Sequence, residues 1–163
     1  MTHASEHVLD AAIRLEPADA GGLRGQTHPA CANMVGPFGG IIAATVLNAA
    51  LTHPSRLGDP VALTVNYAGP IADGDFRIEA VPVRTNRSTQ HWSITLTQAD
   101  AVTITATAVF ATRRDTWSAT DAGAPEVPAA SALPRAPAVP PAPWTRNYDM
   151  RFVRGGLPDR ENP

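Results

Sequence analysis

Two consecutive glycines, Gly39 and Gly40, stand directly before the apolar run IIAATVLNAAL at 41–51. A helix that opens on them presents unpaired amides and the positive end of its dipole. Such donors can polarise a carbonyl oxygen in the manner of an oxyanion hole, while glycines there equally serve a tight turn and close helix–sheet packing. Asn33, just ahead of this loop, is a candidate to hydrogen-bond a substrate or to cap the loop. Arg84, Asn86 and Arg87 surround a short link between two strand-like segments; a pair of guanidiniums there fits phosphate oxygens bidentately, or forms a solvated hairpin tip. Gln98 is a polar residue at a second tight link. His91 has no carboxylate nearby in sequence, which suits a surface histidine better than a base. Cys31 has no neighbouring charge to lower its pKa, which argues against a nucleophile. As the single cysteine it also excludes a disulfide framework and a Cys-based zinc site. No phosphate-cradling loop, dinucleotide fingerprint or zinc-ligand spacing occurs in the chain.

The elements that must position these residues are mostly strands. The run 41–51 has only Thr45 and Asn48 as polar members, so it predicts a helix buried on every side. It is too short to span a bilayer, which needs about 20 residues. Period-two alternation predicts strands over 61–69, 75–84, 90–98 and 101–112. The phase slips around Pro82, as at a bulge or an edge. Short links at 86–89 and 98–100 join the later segments as hairpins. AAIRLEP at 11–17 predicts an earlier strand. An antiparallel sheet that keeps one wet face, with a single apolar helix against the other, follows from this order. The fold class is α+β.

Seven of the 16 prolines lie between Pro125 and Pro143. Proline lacks the backbone donor and fixes φ, so this Ala/Pro-rich stretch predicts an extended linker. After it, Tyr148, Met150 and Phe152 alternate with polar residues in a strand-like pattern. The expected organisation is a folded domain at 1–117, a linker at 118–144, and at 145–163 the start of a second domain. The chain carries 13 basic residues, all arginine, against 15 acidic ones, for a net charge of −2. Without a basic tract, neither nucleic acid nor an anionic membrane is expected as a partner. The N-terminus MTHASEHVLD has early charges and no apolar stretch, so no signal peptide is read and a cytoplasmic location is expected.

The segments GPFGGIIAATVLNAAL (36–51), PVALTVNYAGPIADGDF (60–76) and NRSTQHWSITLTQAD (86–100) resemble the thioesterase-like, type II acyl-CoA thioesterase family of double-hotdog proteins. The likeness rests on the FGG start of the helix, the aromatic-x-x-Pro strand end followed by x-x-Gly, and the Thr-Gln turn, and it covers about residues 10–113. It implies a hotdog fold, with the antiparallel sheet wrapped around one central helix, and a tandem second hotdog beginning near YDMRF. It implies an acyl-CoA substrate hydrolysed by an activated water, and no cofactor or metal. The family's catalytic Asp, Ser/Thr and Gln lie in the second hotdog, so the catalytic residues of the protein are expected outside this chain, and the isolated chain is expected to be inactive. Here Asn33, Gly39, Gly40 and Gln98 would contact substrate, and Arg84, Asn86 and Arg87 the phosphates of coenzyme A, with the acyl chain in an apolar tunnel beside the helix. The second hotdog, or a second copy of the chain, would complete the tunnel. The alternative is a non-catalytic acyl-binding or assembly domain. Other hotdog chemistries fit less well: residues 36–51 contain no Asp–His pair for a hydratase, and no Glu lies between Glu16 and Glu79 for a dehydratase.

Overall fold

Apolar residues at every second position need one common surface to bury, and the strands supply it by pairing in one sheet. In the computed structural model, which describes residues 6–18 and 21–157, the order is α1 (Val8–Ala12), β1 (Glu16–Pro17), β2 (Leu23–Gln26), α2 (Gly39–Leu51), β3 (Asp59–Tyr67), β4 (Asp75–Thr85), β5 (Thr89–Gln98) and β6 (Ala101–Ala111). The six strands form one antiparallel sheet in the order β1-β2-β4-β5-β6-β3. With α2 packed on its inner face, this is the hotdog fold.

Register brings the apolar positions into rows across the inner face. Ile78 pairs with Leu96 and Leu96 with Ile104; Ala80 pairs with Ile94 and Ile94 with Ala106; Trp92 faces Ala108. Pairing large residues with alanines keeps the layer level enough for a helix to lie on it. Ile41, Ile42, Thr45, Val46, Ala49 and Ala50 of α2 are buried there. The outer face carries Arg77, Glu79, Ser93, Thr105 and Thr107, all exposed. A bulge between Pro82 and Arg84 re-phases β4, as the slip in the sequence predicts. It falls where β2, which pairs only with residues 75–78, no longer covers β4, so the missing donor of Pro82 breaks no ladder on that side.

Several expectations are corrected. Residues 11–17 do not form one strand: the chain makes α1, capped by His7 Nδ1 accepting from the Leu9 amide, then the two-residue β1. Alanines at 11 and 12 favour helix. β2 was not anticipated, because its central Gly25 breaks the alternation; a Cβ there would lie 2.6 Å from the Phe76 ring. α2 is not buried all round, since Ala43, Ala44 and Leu47 are only half-buried. One sheet covers one side of a helix, and this stripe lies off it. The alternating pattern at 148–153 forms no strand. Instead a 3-10 turn at Pro143–Asn147 packs back onto the domain, with Ala142 and Thr145 buried.

Candidate functional site

The loop before α2 is shaped by close approaches. Gly36 has φ +66°, and a Cβ on it would meet the Ile71 carbonyl oxygen at 2.3 Å, so only glycine lets the two loops touch. Its carbonyl accepts from the Asn33 amide at 2.8 Å, and the Phe38 amide donates to the Cys31 carbonyl at 2.8 Å. Phe38 then sits at the N-cap with no side-chain cap. Its ring lies over Gly40, where a Cβ would be 2.4 Å away. The amides of Gly39 and Gly40 find no acceptor among the described residues. They are therefore free donors at the positive end of the helix. Tyr67, at the end of β3, donates its hydroxyl to the Gly39 carbonyl at 2.5 Å. Desolvation pushes the Tyr67 phenol up, which keeps that donor protonated.

Beside this helix start, a cleft of about 550 Å³ is lined by Val35, Gly36, Ile71, Asp73, Gln98 and Val102, among others. Gln98 is positioned by the β5–β6 turn, in which Ala99 and Asp100 both have positive φ. Its amide is occupied: Oε1 accepts from the Ala72 amide at 2.8 Å, and Nε2 donates to the carbonyls of Ala72 and Asp75 at 2.9 and 3.2 Å. It clamps the loop between β3 and β4. Asn33 is occupied on its oxygen side, Oδ1 accepting from Trp144 Nε1 at 3.3 Å.

The structure thus gathers Asn33, Gly39, Gly40 and Gln98 at one end of the sheet. It does not bring Arg84, Asn86 and Arg87 to them. These sit at the β4–β5 hairpin tip, where Arg84 Nε donates to Asn86 Oδ1 and Asn86 Nδ2 to Thr89 Oγ1, both at 3.1 Å. Gln90, beside that tip, pairs with Phe110, whereas Leu96 and Ile104 pair at the Tyr67 end. Six residues of extended strand separate the two ends, about 20 Å. A hairpin puts its tip at the end of the sheet opposite its strands' other termini, so the arginines and the glycines lie at opposite ends. Burial pushes the Cys31 thiol up, in keeping with an unreactive cysteine, and His91 is exposed on the outer surface.

Residues that sequence reasoning did not place at the site are Tyr67, Asp73, Phe38 and Trp144. Tyr67 is the aromatic of the aromatic-x-x-Pro run and Phe38 that of the FGG start, the two signals that pointed there. Trp144 stacks on Phe38 with ring centroids 4.1 Å apart and planes 8° apart, across more than a hundred residues of sequence.

Comparison with known proteins agrees with this fold. The family model described as the acyl-CoA thioesterase N-terminal domain matches residues 28–111. A hot-dog-fold protein of unknown function from Alicyclobacillus acidocaldarius is 51% identical, with a TM-score of 0.88 over 95% of this chain and 58% of that one. A tesB protein from Mycobacterium avium subsp. paratuberculosis is 23% identical, with a TM-score of 0.65 over 76% of this chain and 48% of its own. An acyl-CoA thioesterase II from Mycobacterium marinum is 20% identical, with a TM-score of 0.65 over 78% and 48%. These last two show the fold. The chain spans between about half and three-fifths of the length of these solved relatives. A search of curated proteins gave no match. No helix among the described residues is long and apolar enough to cross a membrane. With the family model matching more than half of its length, the chain belongs to the acyl-CoA thioesterase N-terminal domain family.

Proposed function

We propose that this chain is the N-terminal hotdog of a double-hotdog enzyme that hydrolyses an acyl-CoA thioester to a fatty acid and coenzyme A. The observation that carries the reading is the family match over 28–111, centred on a helix whose first amides are free. In this reading the Gly39 and Gly40 N–H groups stabilise the charge that develops on the thioester oxygen. Tyr67 holds the Gly39 carbonyl, and so the peptide plane that carries the Gly40 N–H. The water-activating side chains come from the second hotdog. Gln98 keeps the surrounding loops in place, since both its polar atoms are already engaged, and Asn33 Oδ1 holds the Trp144 indole. That same engagement favours a second reading, in which this hotdog binds or assembles and performs no chemistry.

The partner is a second hotdog, supplied by the continuing chain or by another copy. Met34, Val35, Val61, Tyr67 and Val102 are exposed around the β3 edge and the helix start, and the α2 stripe at Ala43, Ala44 and Leu47 is only half-covered. An open strand edge beside apolar surface favours pairing. The cytoplasm is the proposed location. Release of free thiol from hexanoyl- and palmitoyl-CoA tests the reading. Turnover is expected from the protein carrying both hotdogs and none from residues 1–163. No turnover by the longer protein overturns the enzyme reading, and turnover by this chain alone overturns the placement of the catalytic groups.

A further inference from the structure

Residues 130–151 form a loop tied to itself. The Ala136 amide donates to the Met150 carbonyl at 2.7 Å. Arg151 donates to the carbonyls of Ala130 and Leu133 and pairs with Asp149, which also faces Arg135. The chain leading into it, 112–129, belongs to no strand or helix and is exposed from Arg113 onward. Onto the hotdog this loop holds by few bonds. Among the described residues its hydrogen bonds to the rest of the chain come from Trp144 and Asn147 alone: Trp144 N to the Ala32 carbonyl at 3.2 Å, Trp144 Nε1 to Asn33 Oδ1, and Asn147 Nδ2 to the Ala30 carbonyl at 2.8 Å and, loosely, Cys31 Sγ at 4.0 Å. The stack of Trp144 on Phe38, with Tyr148 edge-on to both rings, completes the attachment. Under it the packing is incomplete. A pocket of about 110 Å³ beside the attachment, open on one side, is lined by Asn147 and Tyr148 of the loop and by His7, Val8, Leu9, Cys31, Phe38 and Ile41.

We propose that residues 130–151 are a flap that opens and closes as one unit over the start of α2, with Trp144 as its latch. Internal bonds keep the flap together when it lifts, and no sheet hydrogen bond has to break. A short list of contacts over a gap places it at the low end of local stability. Closed, it covers Phe38 and the Cys31 thiol; open, it exposes both and widens the pocket beside the free amides of Gly39 and Gly40. The flap would thus regulate access to that mouth, and its motion stands apart from whether the ligand is an acyl-CoA.

Cys31, the only cysteine and 4% exposed, reports the motion. The labelling rate by a disulfide reagent is measured on the whole 163-residue chain, across low concentrations of urea, for the native sequence, Trp144→Ala and Trp144→Phe. Native Cys31 is expected to label far more slowly than a free thiol, with a urea dependence much shallower than that of global unfolding. Trp144→Ala should label at least tenfold faster with circular dichroism unchanged, and Trp144→Phe, which keeps the ring stack, within about threefold of native. If native labelling follows the full unfolding slope, or matches a free thiol, the flap is overturned. An unchanged rate in folded Trp144→Ala overturns the latch. Should Trp144→Ala not fold, the native urea dependence and Trp144→Phe still decide.

Discussion

Replacing Gln98 separates a loop clamp from a ligand contact. Gln98→Ala deletes one bond accepted from the Ala72 amide and two donated to the carbonyls of Ala72 and Asp75. At a net worth of about 0.5–1.5 kcal/mol each, three such bonds sum to roughly 1.5–4.5 kcal/mol. The lower half of that range applies, because the loop is solvent-accessible and water replaces part of what is lost; about 2 kcal/mol is expected. Urea unfolding followed by tryptophan fluorescence reads it as a lower midpoint at constant slope. Gln98→Glu makes the assignment sharper. A carboxylate accepts from the Ala72 amide as before but turns two donated bonds into oxygen–oxygen repulsion, so it should be at least as destabilised above the carboxylate's pKa and recover in acid. A loss below about 0.5 kcal/mol in both variants would refute the clamp and return Gln98 to the ligand contacts.

At the other end of the sheet, Gln90 is buried and bonds the Leu57 amide, the Ser55 carbonyl, Thr85 Oγ1 and Trp92 Nε1. Gln90→Leu strands these partners and should cost about 3–4 kcal/mol in the same unfolding assay. Gly40→Ala drives a Cβ into the Phe38 ring and should cost about 1–2 kcal/mol by overpacking, net of the helix propensity gained, seen as a lower melting temperature. Arg84→Ala with Arg87→Ala, at an exposed tip, should change stability by less than about 0.5 kcal/mol. Asp149 is held below its ordinary value of 3.8 by the hydrogen bond from Arg151, helped by the nearby charges of Arg151 and Arg135. Its folded value lies under the unfolded one, so its pairing is fully present above about pH 3.8 and is lost as pH falls through the folded value. An NMR titration should find its midpoint below 3.8, and Arg151→Ala should raise it.

Four strands and the helix could be read from the chain because each writes its own period: two for Phe76, Ile78 and Ala80 against Arg77 and Glu79, and eleven residues with only Thr45 and Asn48 polar for a helix lying under a sheet. The glycines at 36, 39 and 40 also announced a special turn before that helix. What local pattern cannot carry is the identity of a neighbour. Gly25 looks like a strand breaker until Phe76 lies over it, and Tyr148, Met150 and Phe152 look like a strand but pair with none. The same holds for the site. Residue type nominated Asn33, Gln98 and the two arginines, but a side chain's availability depends on what its polar atoms already bond. Those partners, Trp144 for Asn33 and Ala72 for Gln98, stand 26 to 111 residues away. Sequence alone therefore determined the kind and order of α2 and of β3 to β6, since these follow from short-range spacing. Only the tertiary structure decided which end of the sheet each candidate occupies, that Trp144 closes over the helix start, and which donors there remain free.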